Sequence, residues 1–352
     1  MSQSYLDEIA EQPAAIRKLG RLITPGLIAS IKAIRAMIDK GELRHVVLTG
    51  MGGSLFSAYG TWLRLSQTLP VPVSIWDTSE LIQQAPAVLR EGTLVVAISQ
   101  SGESVELCRM TELDNGVSVR VAITNTPDNT LSRWASLKLA TDVGPEQTVS
   151  TKTYTAGLVA LYIFERLLTG HGDTLISEIG DLADATSQLL STLPAKMAET
   201  LAFLGHDEPL TFIGRGGSYA SAMMAALVTA EAAKAPTQAL SGGQFRHGPL
   251  ELVRAGFRSM VFLGGLGATL DLNVKTINDI DRFGGRCLVV APERAASALS
   301  ANHQALLLPD VAEGLLPVLE ILPIQLLMVP MAVARGFEPA KFLNGSKITI
   351  IE

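Results

Sequence analysis

Two cysteines in 352 residues, Cys108 and Cys287, are too few for a disulfide framework and show no metal-ligand spacing. They read as buried thiols of a reducing cytoplasm, the compartment expected for this chain. No metal or other cofactor is expected either. Basic surplus is also missing: 28 Lys and Arg stand against 34 Asp and Glu, a net charge of −6. That balance excludes nucleic acid and an anionic membrane surface as partners, since both require a basic face. A small anion stays open, because backbone amides and one or two local cations can hold it. The most apolar stretch, 315–334, is interrupted by Glu320, Pro323 and Pro330. Its uninterrupted runs fall well short of the ~20 residues a membrane span needs, so it is expected to be a core helix. Met1-Ser2-Gln3-Ser4 leads into charged, helix-like sequence with no signal-peptide pattern. No segment is of low complexity.

What the chain does contain is a compact, apolar composition, 47% hydrophobic and 18% charged, long enough for two ordinary domains. It also contains a repeat. His45-Val46-Val47-Leu48-Thr49-Gly50-Met51-Gly52-Gly53-Ser54 is echoed by Leu210-Thr211-Phe212-Ile213-Gly214-Arg215-Gly216-Gly217-Ser218, each followed by an Ala-containing helical stretch. A β-branched run entering a glycine turn at a helix start leaves unpaired N–H groups facing outward, which suits phosphate. Two copies imply two similar lobes.

Around the repeat, apolar segments with little alternation read as strands buried on both faces: 45–49, 71–76, 93–99, 118–124 and 137–141, then 210–213, 237–240, 258–263, 286–291 and 304–308. Helical stretches separate them. The rhythm predicts an α/β fold of two doubly wound parallel-sheet lobes in tandem. Helices over 5–20 and 24–40 precede the first strand, and one long helical region, 153–193, joins the lobes before Pro194. The expected domains are 1–194, 195–338 and a tail, 339–352, ending in the β-like Ile348-Thr349-Ile350-Ile351.

Ser99-Gln100-Ser101-Gly102-Glu103-Ser104 is the most specific local motif. It follows a strand and opens a helix, setting three hydroxyls and an amide where helix N–H groups lack partners. One serine suffices to cap a helix, so three favour a phosphate ligand. Ser54, with Gly52 and Gly53, carries the same role more weakly, as a tight turn has the same pattern. Gly144-Pro145-Glu146-Gln147-Thr148-Val149-Ser150-Thr151-Lys152 reads on composition alone as a helix cap and a solvated lysine.

Glu231 lies among Ala225, Ala226, Ala230, Ala232 and Ala233, where surrounding methyls raise a carboxylate's pKa. His247 stands in the glycine-bounded Ser241-Gly242-Gly243-Gln244-Phe245-Arg246-His247-Gly248-Pro249. A carboxylate and a histidine are the minimal kit for moving a proton between adjacent sugar carbons and opening the ring. Separately, each also has a structural explanation, Glu231 as a surface helix residue and His247 as a capping or core histidine. His45, His171, His206 and His303 lack comparable surroundings. A dinucleotide-binding reading fails because Leu55 stands at the third glycine position of the first turn, although Asp77 is suitably placed.

Together these residues resemble the double-SIS (sugar isomerase) domain family, in particular the isomerase half of glucosamine-6-phosphate synthases and related amino-sugar-phosphate deaminases and deglycases. The resemblance covers essentially the whole chain, from Glu8-Ile9-Ala10-Glu11-Gln12-Pro13 through Ser54, Ser99–Ser104, Gly144–Lys152 and Gly214-Arg215-Gly216 to His247-Gly248-Pro249. It includes the sixteen-position spacing of Glu231 and His247. It implies flavodoxin-like SIS lobes, with Ser99, Gln100, Ser101 and Ser104 on the sugar phosphate and Ser54 and Ser150 near the sugar. It implies that Glu231 shuttles a proton between C1 and C2 and that His247 opens the ring in a neighbouring subunit's site, hence a homodimer. The chain departs from the synthases in starting directly at the SIS region, without the glutaminase domain and its leading cysteine, so glutamine-dependent synthesis by it alone is not expected. Aligning the tail on Ile348-Thr349 puts Ser346 at the family's imine-forming lysine and Lys347 one place later, so Lys347 enters as a candidate. The expected function is phosphosugar isomerisation coupled to loss of an amine or ammonia. The alternative is a non-catalytic phosphosugar-binding regulator, although no helix-turn-helix or other effector segment flanks the repeats.

Overall fold

Pro13 sets the first departure from the sequence pattern. It cannot donate to the Ile9 carbonyl, and the side chain of Gln12 donates there instead at 3.2 Å. The single helix expected over 5–20 is accordingly two, Ser2–Ala10 and Gln12–Lys18. The computed structural model describes residues 2–113 and 115–347. The β-like tail 348–351 lies outside them.

All ten expected strands form. In the first sheet β1 (His45–Gly50), β2 (Val73–Asp77), β3 (Thr93–Ile98), β4 (Val119–Thr124) and β5 (Leu137–Ala140) run in the order β2-β1-β3-β4-β5. In the second, β6 (Leu210–Gly214), β7 (Thr237–Ser241), β8 (Arg258–Phe262), β9 (Arg286–Pro292) and β10 (Gln304–Leu308) run β10-β9-β8-β6-β7, the same topology read from the other edge. Every pairing is parallel. Strand β3 is buried throughout, as a central strand covered on both faces must be. This is the flavodoxin-like 2-1-3-4-5 order, whose direction switches between the first and third strands; ligands of such sheets bind at the carboxyl ends of those two strands.

The chain divides into two units that are not contiguous in sequence. One holds the first sheet with residues 14–146, 152–180 and 344–347; the other holds the second sheet with 2–13, 147–151 and 181–343. In the first, Val47, Val95, Ala97 and Ala122 pack with Leu107, Met110 and Leu131 from the helices. The helix Lys152–Leu168, nearly all buried, packs on Gly52–Thr68. The long joining helix expected over 153–193 is broken after Leu168. Gly170 adopts φ 81° and His171 N–H bonds the Arg166 carbonyl at 2.8 Å, a glycine stop, before Leu175–Thr192 begins.

In the second unit Ser2–Ala10 packs on Leu322–Ala334, with Tyr5 and Ile9 buried and Gln12 bonded to Gln325 at 2.7 Å. Residues Glu313–Ala334 are long and apolar enough to span a membrane by length and composition, but 83% of their most apolar window is buried within the protein. They form its core, as Leu316–Glu320 and Leu322–Ala334.

Candidate active site

The turn after β1 lies where chain direction requires glycine. A Cβ on Gly50 would stand 2.9 Å from the Ile98 carbonyl oxygen at the end of β3, and Gly52 adopts φ 49°. Helix Gly52–Thr68 therefore starts without a side-chain cap, with Gly52, Gly53 and Ser54 as its first turn. Ser57 Oγ donates to the Ser54 carbonyl at 2.7 Å, fixing that turn from behind.

The loop after β3 is organised by its own hydroxyls. Ser99 Oγ accepts the Gly102 N–H at 3.0 Å, and Ser101 Oγ accepts the Glu103 N–H at 3.1 Å. Gly102, at φ 68°, packs against Asn129, whose Oδ1 would lie 2.0 Å from any Cβ there. Glu103 turns out of the loop to accept the Thr130 N–H at 2.7 Å and its hydroxyl at 2.8 Å. Those bonds, the backbone one foremost, hold its carboxyl below the usual range. Ser104 precedes helix Val105–Glu112 without capping it. Its Oγ is buried and has no hydrogen-bond partner among the described residues. Gln100, whose carbonyl accepts the Asn125 N–H at 3.0 Å, is half-buried. The loop thus presents neutral donors at the switch point of the first sheet, a setting suited to a phosphate.

Lys347, half-buried, belongs to the same unit and pairs with the buried Glu146 at 2.5 Å. Glu146 also accepts the Thr153 N–H at 3.0 Å and hydroxyl at 2.6 Å. Burial pushes the Glu146 carboxyl up, but the Lys347 ammonium and these bonds outweigh it and hold the group below its ordinary value. Sequence reasoning passed Glu146 over as part of a cap; its place in Gly144-Pro145-Glu146 was the only signal.

Glu231, His247 and Ser150 belong to the other unit. Glu231 sits in the last turn of helix Ser218–Ala233, half-buried rather than enclosed by methyls. Lys234, in the left-handed conformation that ends the helix, donates to the Glu231 carbonyl. His247 closes the short helix Gly242–Arg246. Phe245, fully buried against Phe257, pins that helix to the core, while His247 two residues later is exposed. Arg246 pairs with the nearly buried Asp279. The Arg215 guanidinium lies over Gly242, where a Cβ would stand 2.5 Å from Nε; burial, then the charge of Arg246, lowers its pKa. Ser150 follows Gln147 and Thr148, which both donate to Glu8 of the same unit.

The remaining histidines have structural partners. His45 bonds Ser74 at 2.8 Å, and the buried His303 contacts Asp281 at 3.0 Å. Both cysteines are free thiols, and burial pushes Cys287 up to about 12. Surface hollows of about 370 and 440 Å³ lie beside Cys287 and His303 and beside Arg21 and Leu137; neither contains a residue of the sites above.

The doubled 2-1-3-4-5 sheet with a serine loop at the switch point defines a class, and residues 42–164 match the family model described as SIS domain. That match spans the first sheet, and the second sheet repeats its topology. Over 99% of its length it is 31% identical to the glutamine–fructose-6-phosphate aminotransferase (isomerizing) of Symbiobacterium thermophilum, of which it covers 59%. It thus spans little more than half of that relative. The C-terminal domain of the Francisella tularensis glucosamine-fructose-6-phosphate aminotransferase superposes with a TM-score of 0.82 at 23% identity, over 96% of this chain and 97% of that one. The tagatose-6-phosphate ketose/aldose isomerase of Escherichia coli gives 0.82 at 19%, over 97% and 96%.

Proposed function

We propose that the protein is a phosphosugar aldose–ketose isomerase/deaminase acting on an amino-sugar phosphate or a fructosamine-type 6-phosphate. The observation that carries the reading is the loop 99–104. Its Ser99 and Ser101 hydroxyls hold the backbone turn open at the end of β3, and the buried Ser104 hydroxyl has no partner among the described residues. Ser54, Gln100 and the N–H groups of Gly52 and Gly53 complete a neutral cradle for the phosphate.

Chemistry then needs a ring-opening group and a base. The exposed His247 accepts the ring-opening role, donating to the ring oxygen from the neighbouring subunit of a homodimer. The Glu231 carboxylate removes the proton from the carbon next to the carbonyl or imine and returns it to the adjacent carbon. That step moves one proton and one double bond with no external oxidant. Loss of ammonia or an amine follows by hydrolysis of the resulting imine. Lys347 is a candidate for imine formation with the ketose, and only its neutral amine can attack a carbonyl. Its ion pair with Glu146 has to open before its nitrogen can engage a carbonyl. The likeness to a ketose/aldose isomerase and to an isomerizing aminotransferase supports the reading.

The test is to incubate the purified protein with glucosamine 6-phosphate and with 6-phosphofructosyl amines, following ammonia, amine and hexose phosphate. Turnover of at least one is expected. Tight binding of a sugar phosphate without turnover of any would instead make the chain a phosphosugar-binding regulator.

A further inference from the structure

The second glycine turn, Gly214–Ser218, has no part in the chemistry above, although β6 and β8 occupy the places in their sheet that β1 and β3 occupy in theirs. The correspondence runs residue by residue. Ser218 and Ser221 match Ser54 and Ser57 in spacing. The Ser99 N–H bonds the Ile123 carbonyl of β4 at 3.0 Å, and the Leu263 N–H bonds the Val290 carbonyl of β9 at 2.8 Å, so the loops after β3 and β8 also correspond. Where the first loop has Ser99, Gln100 and Ser101, the second has Leu263, Gly264 and Gly265.

The space is not left to a ligand. The Ser218 and Ser221 hydroxyls donate to the two carboxyl oxygens of Glu320, at 2.7 and 2.5 Å, and Glu320 is wholly buried. Gly264 admits no side chain, since a Cβ would lie 1.9 Å from Ser218 Oγ. A second carboxylate, Glu313, takes the Gly265 N–H at 2.7 Å and is held by Arg294 at 2.5 Å.

We propose that Glu320 is a built-in ligand of the second glycine turn: its carboxyl group takes the place that the first turn offers to an external anion, leaving one phosphosugar cradle per chain. The inference rests on the reading of Ser99–Ser104 as that cradle. The same bonds fasten the first turn of the helix that carries Glu231 at its far end.

Glu320→Ala deletes a group that is acetate less one hydrogen, so sodium acetate is the probe. The melting temperature of Glu320→Ala is expected to rise by several degrees in acetate over sodium chloride of equal ionic strength, with no such rise in the wild type. The gain should vanish when Ser218→Ala and Ser221→Ala are added and persist with Ser101→Ala. A variant that folds only in acetate gives the same result. Equal response to acetate and chloride, or a gain that survives loss of both serines, overturns the proposal. Independently, calorimetry of the wild type with glucosamine 6-phosphate should give one site per chain, and two sites overturn it. No binding at all would instead remove the first-lobe cradle and leave the acetate series to decide on Glu320.

Discussion

Neutralising Glu320 should make the protein more stable at alkaline pH. Its carboxyl group is fully buried, and desolvation raises its pKa from 4.5 to about 7 against the opposing Ser218 and Ser221 hydrogen bonds. The other charges acting on it are Glu313, which raises the value further, and Arg294, which lowers it. An acid whose pKa is higher in the folded state binds more protons there than when unfolded, so stability falls as pH rises from about 4.5 through 7 and is flat above. At 1.36 kcal/mol per unit, a shift of some 2.5 units amounts to about 3 kcal/mol of stability withheld at pH 8. Glu320→Gln removes the titration but keeps the volume, and its amide accepts from one serine and donates to the other. Against that gain stands about 1 kcal/mol for one exchanged hydrogen bond. The variant should therefore be more stable than the wild type by about 2 kcal/mol at pH 8, and equal or slightly less stable at pH 4.5. The wild-type slope alone does not decide the matter. His45, whose pKa burial and then Arg90 hold below 6.5, is disfavoured as a cation in the fold, so its term makes stability rise with pH just below 6.5. That opposing contribution is common to both proteins and cancels in their difference. Urea denaturation of both chains at half-unit steps from pH 4.5 to 8.5 gives the difference directly. A pH-independent difference, or a Glu320→Gln protein weaker than the wild type at pH 8, refutes the reasoning.

Ser104→Ala should separate binding from stability. The hydroxyl bonds nothing among the described residues, so urea midpoints should stay within about 0.5 kcal/mol; loss of a bond to a charged phosphate should raise KM by roughly 10- to 100-fold. Glu231→Gln should lower kcat by on the order of 10² or more with sugar-phosphate affinity unchanged in calorimetry. Glu146→Gln should cost about 2–3 kcal/mol by replacing the charged partner of the Lys347 ammonium with a neutral amide, and adding Lys347→Met should recover part of it in the same denaturation assay. Gly102→Ala should destabilise by more than about 2 kcal/mol, because both the left-handed backbone and Asn129 oppose a Cβ; an unchanged midpoint would show the loop to be free to move.

The strands were legible because burial on both faces leaves one pattern, unbroken runs such as Leu94-Val95-Val96-Ala97-Ile98, which polar helices and glycine turns bracket. Helix ends were less so. The break after Leu168 depends on Gly170 taking a positive φ, and a glycine in a helical pattern does not announce its conformation. The serine loop stood out because Ser99, Ser101 and Ser104 lie within six residues of sequence. The Glu146–Lys347 pair could not, since its partners are two hundred and one positions apart and only the fold joins them.

Glu320 shows why one local pattern supports two outcomes. In sequence it is a carboxylate that interrupts an apolar run, and that interruption was enough to argue for a core helix. A carboxyl group in such a place still has to be satisfied, because an unpaired buried charge costs several kcal/mol. The nearest hydroxyls that can satisfy it are Ser218 and Ser221, the two serines that repeat the spacing of Ser54 and Ser57. In the first lobe Ser57 turns back on its own helix and the turn remains open, whereas in the second Ser221 turns to Glu320 and the turn is closed. The glycine turn supplies donors in both; whether it takes an external anion depends on whether a distant helix brings it a carboxylate. A repeat in sequence is therefore evidence for a repeated fold, and a repeated site needs the partner of each hydroxyl to be known.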